Sequence, residues 1–541
     1  MDIQNQDDKI RKIPFLVVLA FALLLFLTGL GRRHLWNADE PRVAGVAAHM
    51  ANSGDFVVPR LNGVPFLEQP PLYSWISSTA FELFGQNNFS ARLPSAITAV
   101  GGVLIVFFLT RKMGFSVAAA LLSSLILATS AEYWSLGRRC LIDMTLTFCI
   151  TATMACFYLT TISKKHSILW GIGFVVSLAL GILAKGLVGL AIPACAIVCW
   201  LLLERNFSLR PWIVFFAGSL LCFIPTALWI SMLCNVLGTS VAYDAMIANN
   251  FGRFTGSYPQ HVEPFYYYII NFPEQFMPWT LFLPLASIML YKKRQISKKQ
   301  NPLLFLLCWL IVPFILLSVA AGKRGLYLLP LYPAAAILVG YAISTVLEKK
   351  EDCTNWFTIP ASILAVTAVI VPIAFTGLSI YNKQSIIIWP LVLAPGLFLG
   401  VWGYLKFSKK QFVNFFKILS ATLLVLYVTL DCLINPFYNQ ENSSEPLFKY
   451  CKQLQSEGAA FSLVSPKERL SGAAVFYLGH QIPSFSIEAS DEIYKFLNSG
   501  EKTYIITVDE NAQSLKDLEI LNRFKISHDT LVVAKRKTSA G

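Results

Sequence analysis

The sequence predicts a polytopic α-helical membrane protein of about 13 transmembrane helices, with a small C-terminal α/β domain outside the membrane. Three observations predict it. Hydrophobic residues make up 55% of the 541 residues and charged residues only 14%, against about a quarter charged in ordinary globular chains. Apolar runs long enough to cross a bilayer recur throughout residues 1–435. The final stretch, 436–541, changes character, with 12 basic and 13 acidic residues. A soluble fold has no interior able to hide the apolar surplus, so that surplus faces lipid. The net charge of +13 would raise nucleic-acid binding in a soluble domain. In a membrane protein it is first a question of topology, and no nucleic-acid partner is expected.

The predicted spans are 13–30, 93–110, 117–134, 144–162, 168–184, 187–203, 211–233, 278–291, 302–321, 326–346, 357–378, 387–405 and 412–434. The pair 168–184 and 187–203 also reads as one long run. The first span follows Lys9, Arg11 and Lys12 as a signal peptide would. It lacks a small-x-small cleavage site and so reads as an uncleaved anchor. With the N-terminus cytoplasmic, every even-numbered gap between spans is basic, including Arg111 and Lys112, Arg205 and Arg210, and Lys406, Lys409 and Lys410. That is the positive-inside bias, and it places the tail on the outer side, the periplasm of a bacterial inner membrane. Within the tail, Ala460–Val464, Thr503–Val508 and 531–533 read as strands, and 471–478 and 491–497 as helices. The predicted domains are therefore 1–435 in the membrane and 436–541 outside it, with no catalysis expected in the second.

Against that bias, the outer loops carry Arg32, Arg33, Arg42, Arg60, Arg138, Arg139, Arg253, Lys323 and Arg324. Such cations either snorkel to lipid headgroups or hold an anionic ligand. Arg32 and Arg92 fit the first reading, and Lys323-Arg324, wedged between two apolar spans, fits the second. In the first outer loop, 31–92, Val43, Val46, Ala47, Met50 and Ala51 recur at helical spacing, with Arg42, Gly45 and His49 opposite. This predicts a short amphipathic helix on the membrane surface, opened by Asp39-Glu40-Pro41. Asp39 before a proline-started helix is ordinarily a cap, and Asp55 after Ser53-Gly54 a turn residue. Glu68, followed by Gln69-Pro70-Pro71, is a carboxylate in a constrained re-entry to the membrane. Asp143 opens the fourth span after Arg138 and Arg139, where it also suits the helix dipole. His261 sits beside an aromatic run, and Lys185 lies between two spans, where ionisable residues are functional suspects. Carboxylates and cations on one outer surface suit a transferase that uses a lipid phosphate. A transporter or flippase of lipid-linked saccharides would instead want charges near the bilayer midplane and internal repeats.

The residues themselves carry a resemblance. Asp39-Glu40-Pro41-Arg42, then Ser53-Gly54-Asp55-Phe56-Val57-Val58-Pro59-Arg60-Leu61-Asn62-Gly63, then Glu68-Gln69-Pro70-Pro71-Leu72, resemble the aminoarabinose transferase and dolichyl-phosphate-mannose protein mannosyltransferase families of the GT-C superfamily. Arg139 with Asp143, Leu146 and Phe148 is a further match, as are Ala184-Lys185-Gly186, His261 with Pro264-Phe265-Tyr266-Tyr267, and Lys323 with Leu326-Tyr327, Leu329-Pro330 and Pro333. The motifs cover about residues 1–345.

The resemblance implies a GT-C fold and an inverting glycosyltransferase. It would move a sugar from a polyprenyl phosphate to lipid A or another glycan; a protein O-glycosyltransferase is the alternative. It assigns Asp39 as catalytic base or orienter of the acceptor hydroxyl, with Asp143 as a second catalytic carboxylate. Arg42, Arg60, Lys323, Arg324 and Tyr327 are assigned to the donor phosphate, and Glu40, Gln69, Lys185 and Arg253 support them. Glu68 and His261 resemble a metal pair for a divalent ion, Zn or else Mg or Mn. One departure stands out. Aminoarabinose transferases usually read Glu-Lys-Pro-Pro where this chain has Glu68-Gln69-Pro70-Pro71, so a phosphate-binding lysine is missing; the facing loop Gly322-Lys323-Arg324-Gly325-Leu326-Tyr327 offers an extra cation.

Overall fold

The computed structural model describes residues 2–36, 39–163, 166–240, 262–293, 301–348, 354–381 and 388–537. The chain divides into two compact units. Unit 1 comprises Met1–Thr28, Ser95–Arg138 and Ile142–Leu430; unit 2 comprises Gly29–Pro94, Arg139–Leu141 and Asp431–Gly541.

The helices of the first half are α1 (Asp2–Leu27), α2 (Asp39–Ser53), α3 (Leu72–Phe84), α4 (Asn88–Lys112), α5 (Val117–Thr129), α6 (Ala131–Gly137), α7 (Ile142–Ile162), α8 (Ser167–Lys185), α9 (Val188–Leu203), α10 (Leu209–Leu221) and α11 (Phe223–Leu237). They continue as α12 (Tyr267–Gln275), α13 (Leu283–Lys293), α14 (Pro302–Val319), α15 (Tyr332–Leu347), α16 (Thr354–Tyr381), α17 (Ile388–Ser408) and α18 (Phe412–Thr429). Each of the thirteen predicted stretches falls largely on one of these helices, on a broken pair of them, or on one of them with an adjoining 3-10 or π turn. Among the described residues, seven helical segments are long and apolar enough to cross a membrane, and an eighth if α5 and α6, bent by 66°, count as one. The protein is thus a multi-pass membrane protein.

Local chemistry explains the helix ends. Ser116 caps α5 by accepting from Ala119 N at 3.1 Å, and Asn301 caps α14 by accepting from Leu303 N at 3.0 Å. The apolar run 168–203 is two helices, because Gly186 takes φ +66°, a positive-φ conformation that favours glycine and ends α8. Close approach of α8 and α9 depends on glycine as well: a Cβ on Gly189 would lie 2.8 Å from Ile182 N. Outward apolar side chains such as Ile168, Leu169 and Ile172 on α8 and Phe216 and Leu220 on α10 are exposed in the isolated chain, as lipid-facing positions are.

In unit 2, a two-stranded hairpin, β1 (Arg60–Leu61) with β2 (Val64–Pro65), follows α2. The hairpin turns at Asn62 and Gly63, both with positive φ. The tail holds α19 (Glu445–Ser456), β3 (Ala460–Val464), α20 (Glu468–Leu478), β4 (Ser484–Phe485), α21 (Ser490–Leu497), β5 (Thr503–Val508), α22 (Asp509–Ser514), β6 (Leu518–Ile526) and β7 (Asp529–Arg536). Its five strands run in the order β4-β3-β5-β7-β6, with β4, β3 and β5 parallel and the β5–β7 and β7–β6 pairs antiparallel. Alternation along the strands sends Leu463, Ile506 and Val533 into a core with α19 and α20. It sends Val464, Ile505 and Ala534 to the other face, against Ile493 and Leu497 of α21.

Two expectations need correction. Helix α2 is not amphipathic in use: Gly45 and His49, on its predicted polar side, are buried. The cause is α20, which crosses α2 so closely that a Cβ on Gly45 would sit 2.8 Å from the Gly472 carbonyl carbon. Arg92, read as snorkelling, is fully buried at 0% exposure inside unit 2.

Candidate active site

Asp39 and Glu40 begin α2 and have opposite surroundings. Glu40 is 1% exposed and accepts from five donors. Arg92 Nε and Nη2 donate to its two oxygens at 2.9 and 3.1 Å, and Arg33 Nη2 at 3.2 Å. The backbone amides of Trp36 and Cys140 each donate at 2.9 Å. Burial alone would raise this carboxyl, yet the two guanidiniums and the amide bonds outweigh it and hold the group down to about 2. Arg92 also donates to the Leu30, Arg33 and His34 carbonyls, pinning the loop that leads to α2. Asn439 adds to that pinning by accepting from His34 N and Trp36 Nε1.

Asp39 is half-buried and pairs with Arg42 one turn on, where Nη2 donates at 2.7 Å. The other terminal nitrogen, Nη1, donates to Glu468 at 2.8 Å and lies 3.5 Å from Glu68 Oε2. The guanidinium carbon stands 5.7 Å from the Phe66 ring centroid. Unit 2 therefore brings together Asp39, Arg42 and Glu68, all singled out in the sequence, and adds Glu468, which the sequence did not suggest. Arg60 serves the hairpin: Nη1 donates to the Gly63 carbonyl at 3.2 Å and Nε lies 3.6 Å from Asp55. Asp55 is the turn residue expected, accepting from Val57 N and Val58 N. Gln69 is half-buried between β2 and α3.

Unit 1 carries a second cluster. Lys185 ends α8, turned by Gly186, and its ammonium donates to Asp143 in the first turn of α7. The same ammonium lies 4.3 Å from the Tyr327 ring centroid, a cation–π contact. Tyr327 belongs to the 3-10 turn Gly325–Leu331. Lys323 is 4% exposed and donates to the Glu263 carbonyl at 2.6 Å, beside the Val262–Gly322 bridge. That bond is a clasp on the backbone. The Arg324 carbonyl accepts from Tyr268 Oη at 3.4 Å in the same clasp.

Arg253 and His261 lie outside the described residues. The metal pair can thus be followed at one end only, and there Glu68 faces a guanidinium. Among the described residues no group of three or more His, Cys, Asp or Glu is placed to hold an ion.

Comparison with solved structures decides the fold. A crystal structure of ArnT from Cupriavidus metallidurans bound to undecaprenyl phosphate superposes with a TM-score of 0.76 at 20% identity, covering 97% of this chain and 98% of that one. The fold is GT-C. An Archaeoglobus fulgidus oligosaccharyltransferase shares the GT-C core more distantly, with a TM-score of 0.53 at 13% identity over 91% of this chain and 69% of that one. Residues 13–241 match the family described as dolichyl-phosphate-mannose-protein mannosyltransferase. An undecaprenyl phosphate-alpha-4-amino-4-deoxy-L-arabinose arabinosyl transferase 2 of Proteus mirabilis is 28% identical over 407 residues, 74% of this chain and 72% of the relative. An Aeromonas hydrophila transferase of the same description is 30% identical over 336 residues, 61% of this chain and 60% of that protein. This GT-C chain thus resembles the aminoarabinose transferases.

Proposed function

We propose that this protein is an inverting glycosyltransferase that takes a sugar from an undecaprenyl-phosphate donor and passes it to lipid A at the outer face of the bacterial inner membrane. The observation that carries the reading is the Asp39 carboxylate. It is accessible and gripped by Arg42, at the head of a helix buried on both faces, within the segment that matches the mannosyltransferase family. The relatives' donor, named in their descriptions, supplies the lipid-phosphate chemistry.

In this reading Asp39 orients the acceptor hydroxyl and takes its proton. The oxygen then bonds to the anomeric carbon as the carbon–oxygen bond to phosphate breaks. The departing undecaprenyl phosphate keeps the electron pair and needs charge neutralisation more than a proton. The cations that the resemblance implies for it are Lys323, Arg324 and Arg60, with Tyr327, and Lys185 supports them; within unit 1, Asp143 and the Tyr327 ring fix where the Lys185 ammonium points. Arg42 is assigned chiefly to Asp39, because its terminal nitrogens already face carboxylates. Thirteen crossings, a cytoplasmic N-terminus and a periplasmic tail belong to the same reading, supported by the basic even-numbered gaps. A divalent ion at Glu68 and His261 is a separate proposal, tested by metal analysis of the purified protein before and after Glu68→Gln; no step above uses it.

Mass spectrometry of lipid A and surface glycans, from cells with and without the gene, tests the reading. A sugar mass on lipid A that disappears with the gene is expected. Unchanged lipid A with an altered glycan, or with a lost protein O-glycan, would overturn the acceptor.

A further inference from the structure

The tail of the chain, for which the sequence suggests no part in catalysis, reaches the candidate base within unit 2. Helix α20 crosses α2 at Gly472 and Gly45, where neither helix has room for a side chain. A Cβ on Gly472 would lie 2.7 Å from Arg42 Cα. That contact sets the position of the Arg42 backbone directly. From the first turn of α20, Glu468 then accepts from Arg42 Nη1 at 2.8 Å, while Arg42 Nη2 donates to Asp39 at 2.7 Å. The guanidinium is a planar fork, so fixing one arm fixes the direction of the other. Other contacts hold the same face. Asn52 Nδ2 donates to the Gly479 carbonyl at 3.0 Å, Gln86 donates to the Phe476 carbonyl, and Asn62 bonds to Ile482 at 2.9 and 3.0 Å. Lys467, one residue before Glu468, turns instead to Asp529 at 3.0 Å.

We propose that Glu468 is a positioning residue for transfer: it clamps Arg42 so that Arg42 holds the Asp39 carboxylate in its working orientation. The tail is then part of the catalytic apparatus, and the Gly45–Gly472 crossing is what brings Glu468 into range. This inference rests on Asp39 being the base, yet its structural half is measurable without turnover.

The test uses the full chain in lipid nanodiscs. One arm reads hydrogen exchange of the α2 amides, and the other reads transfer from undecaprenyl-phosphate aminoarabinose to lipid A. Glu468→Ala is expected to speed exchange in the first turn of α2 and lower kcat about tenfold, with the donor KM within twofold of wild type. Glu468→Asp should restore most of kcat, and Lys467→Ala should match wild type in both arms. Gly472→Ala should speed exchange along α2 and lower kcat at least as much as Glu468→Ala. Unchanged exchange in Glu468→Ala overturns the clamp, even if wild type does not turn over this donor. A lower donor KM in Glu468→Ala also overturns it, because Arg42 would then serve the phosphate. Wild type inactive with exchange altered as expected would instead count against the transferase reading and leave the clamp standing.

Discussion

Asp39 and Glu40 are adjacent carboxylates on one helix, and their surroundings divide structure from chemistry. Glu40 is sealed among two guanidiniums and two backbone amides, with every lone pair engaged. Asp39 is paired with Arg42 and keeps part of its side chain exposed. A carboxylate that must take a proton needs an open face, while a carboxylate that must hold a loop needs none. The pairing teaches that an Asp-Glu motif read as one unit does two jobs, and that the buried member makes the other possible.

The largest effect that sharpens this contrast is Glu40→Ala. It strands Arg33 and Arg92 in the interior and should cost about 3–5 kcal/mol. Thermal unfolding and protease resistance of the first loop should both drop; intact stability would break the distinction. Next is Lys185→Ala in unit 1, expected to lower kcat by about 10²-fold while the protein stays folded, with Lys185→Arg recovering part of it. Loss of folding instead would show that Lys185 is held for structure, as Glu40 is.

A pH series separates the two carboxylates further. Glu40 sits at about 2 in the folded chain against an ordinary 4.5. Its contribution is therefore complete above about pH 4.5 and fades as pH falls toward 2. The stability gap between wild type and Glu40→Gln should be flat from neutral pH to about pH 4.5 and close below it. The smallest effect expected is from Arg60→Ala, which loses a partly exposed contact to Asp55 and a turn hydrogen bond, about 0–1 kcal/mol.

What could be read in the sequence followed the range of the interactions. Strand Thr503–Val508 was legible because β-branched and aromatic residues run unbroken there, and Ala460–Val464 because it is a short, largely apolar run that ends in Leu463-Val464. β6 was not, because Glu519, Asn522, Arg523 and Lys525 blunt it as an edge strand. The Asp39–Arg42 pair lies within one helical turn and the motif names both members. Arg92 looked interfacial because its partner, Glu40, lies 52 positions away. Gly45 looked like a residue on a polar face because the helix that needs its missing side chain lies in the tail. Glu468 carries no local signal at all. Lys323 was legible as a cation on an outer loop, but its backbone clasp on Glu263 depends on tertiary placement.

One measurement bears on the central claim most directly: transfer by Asp39→Asn compared with wild type, in membranes holding equal amounts of folded protein. The carboxylate-to-amide change keeps the size of the side chain and a hydrogen-bond acceptor for Arg42, but removes the base. Transfer should fall by about 10²–10⁴-fold with unfolding temperature unchanged. Near-normal turnover by Asp39→Asn would contradict the account.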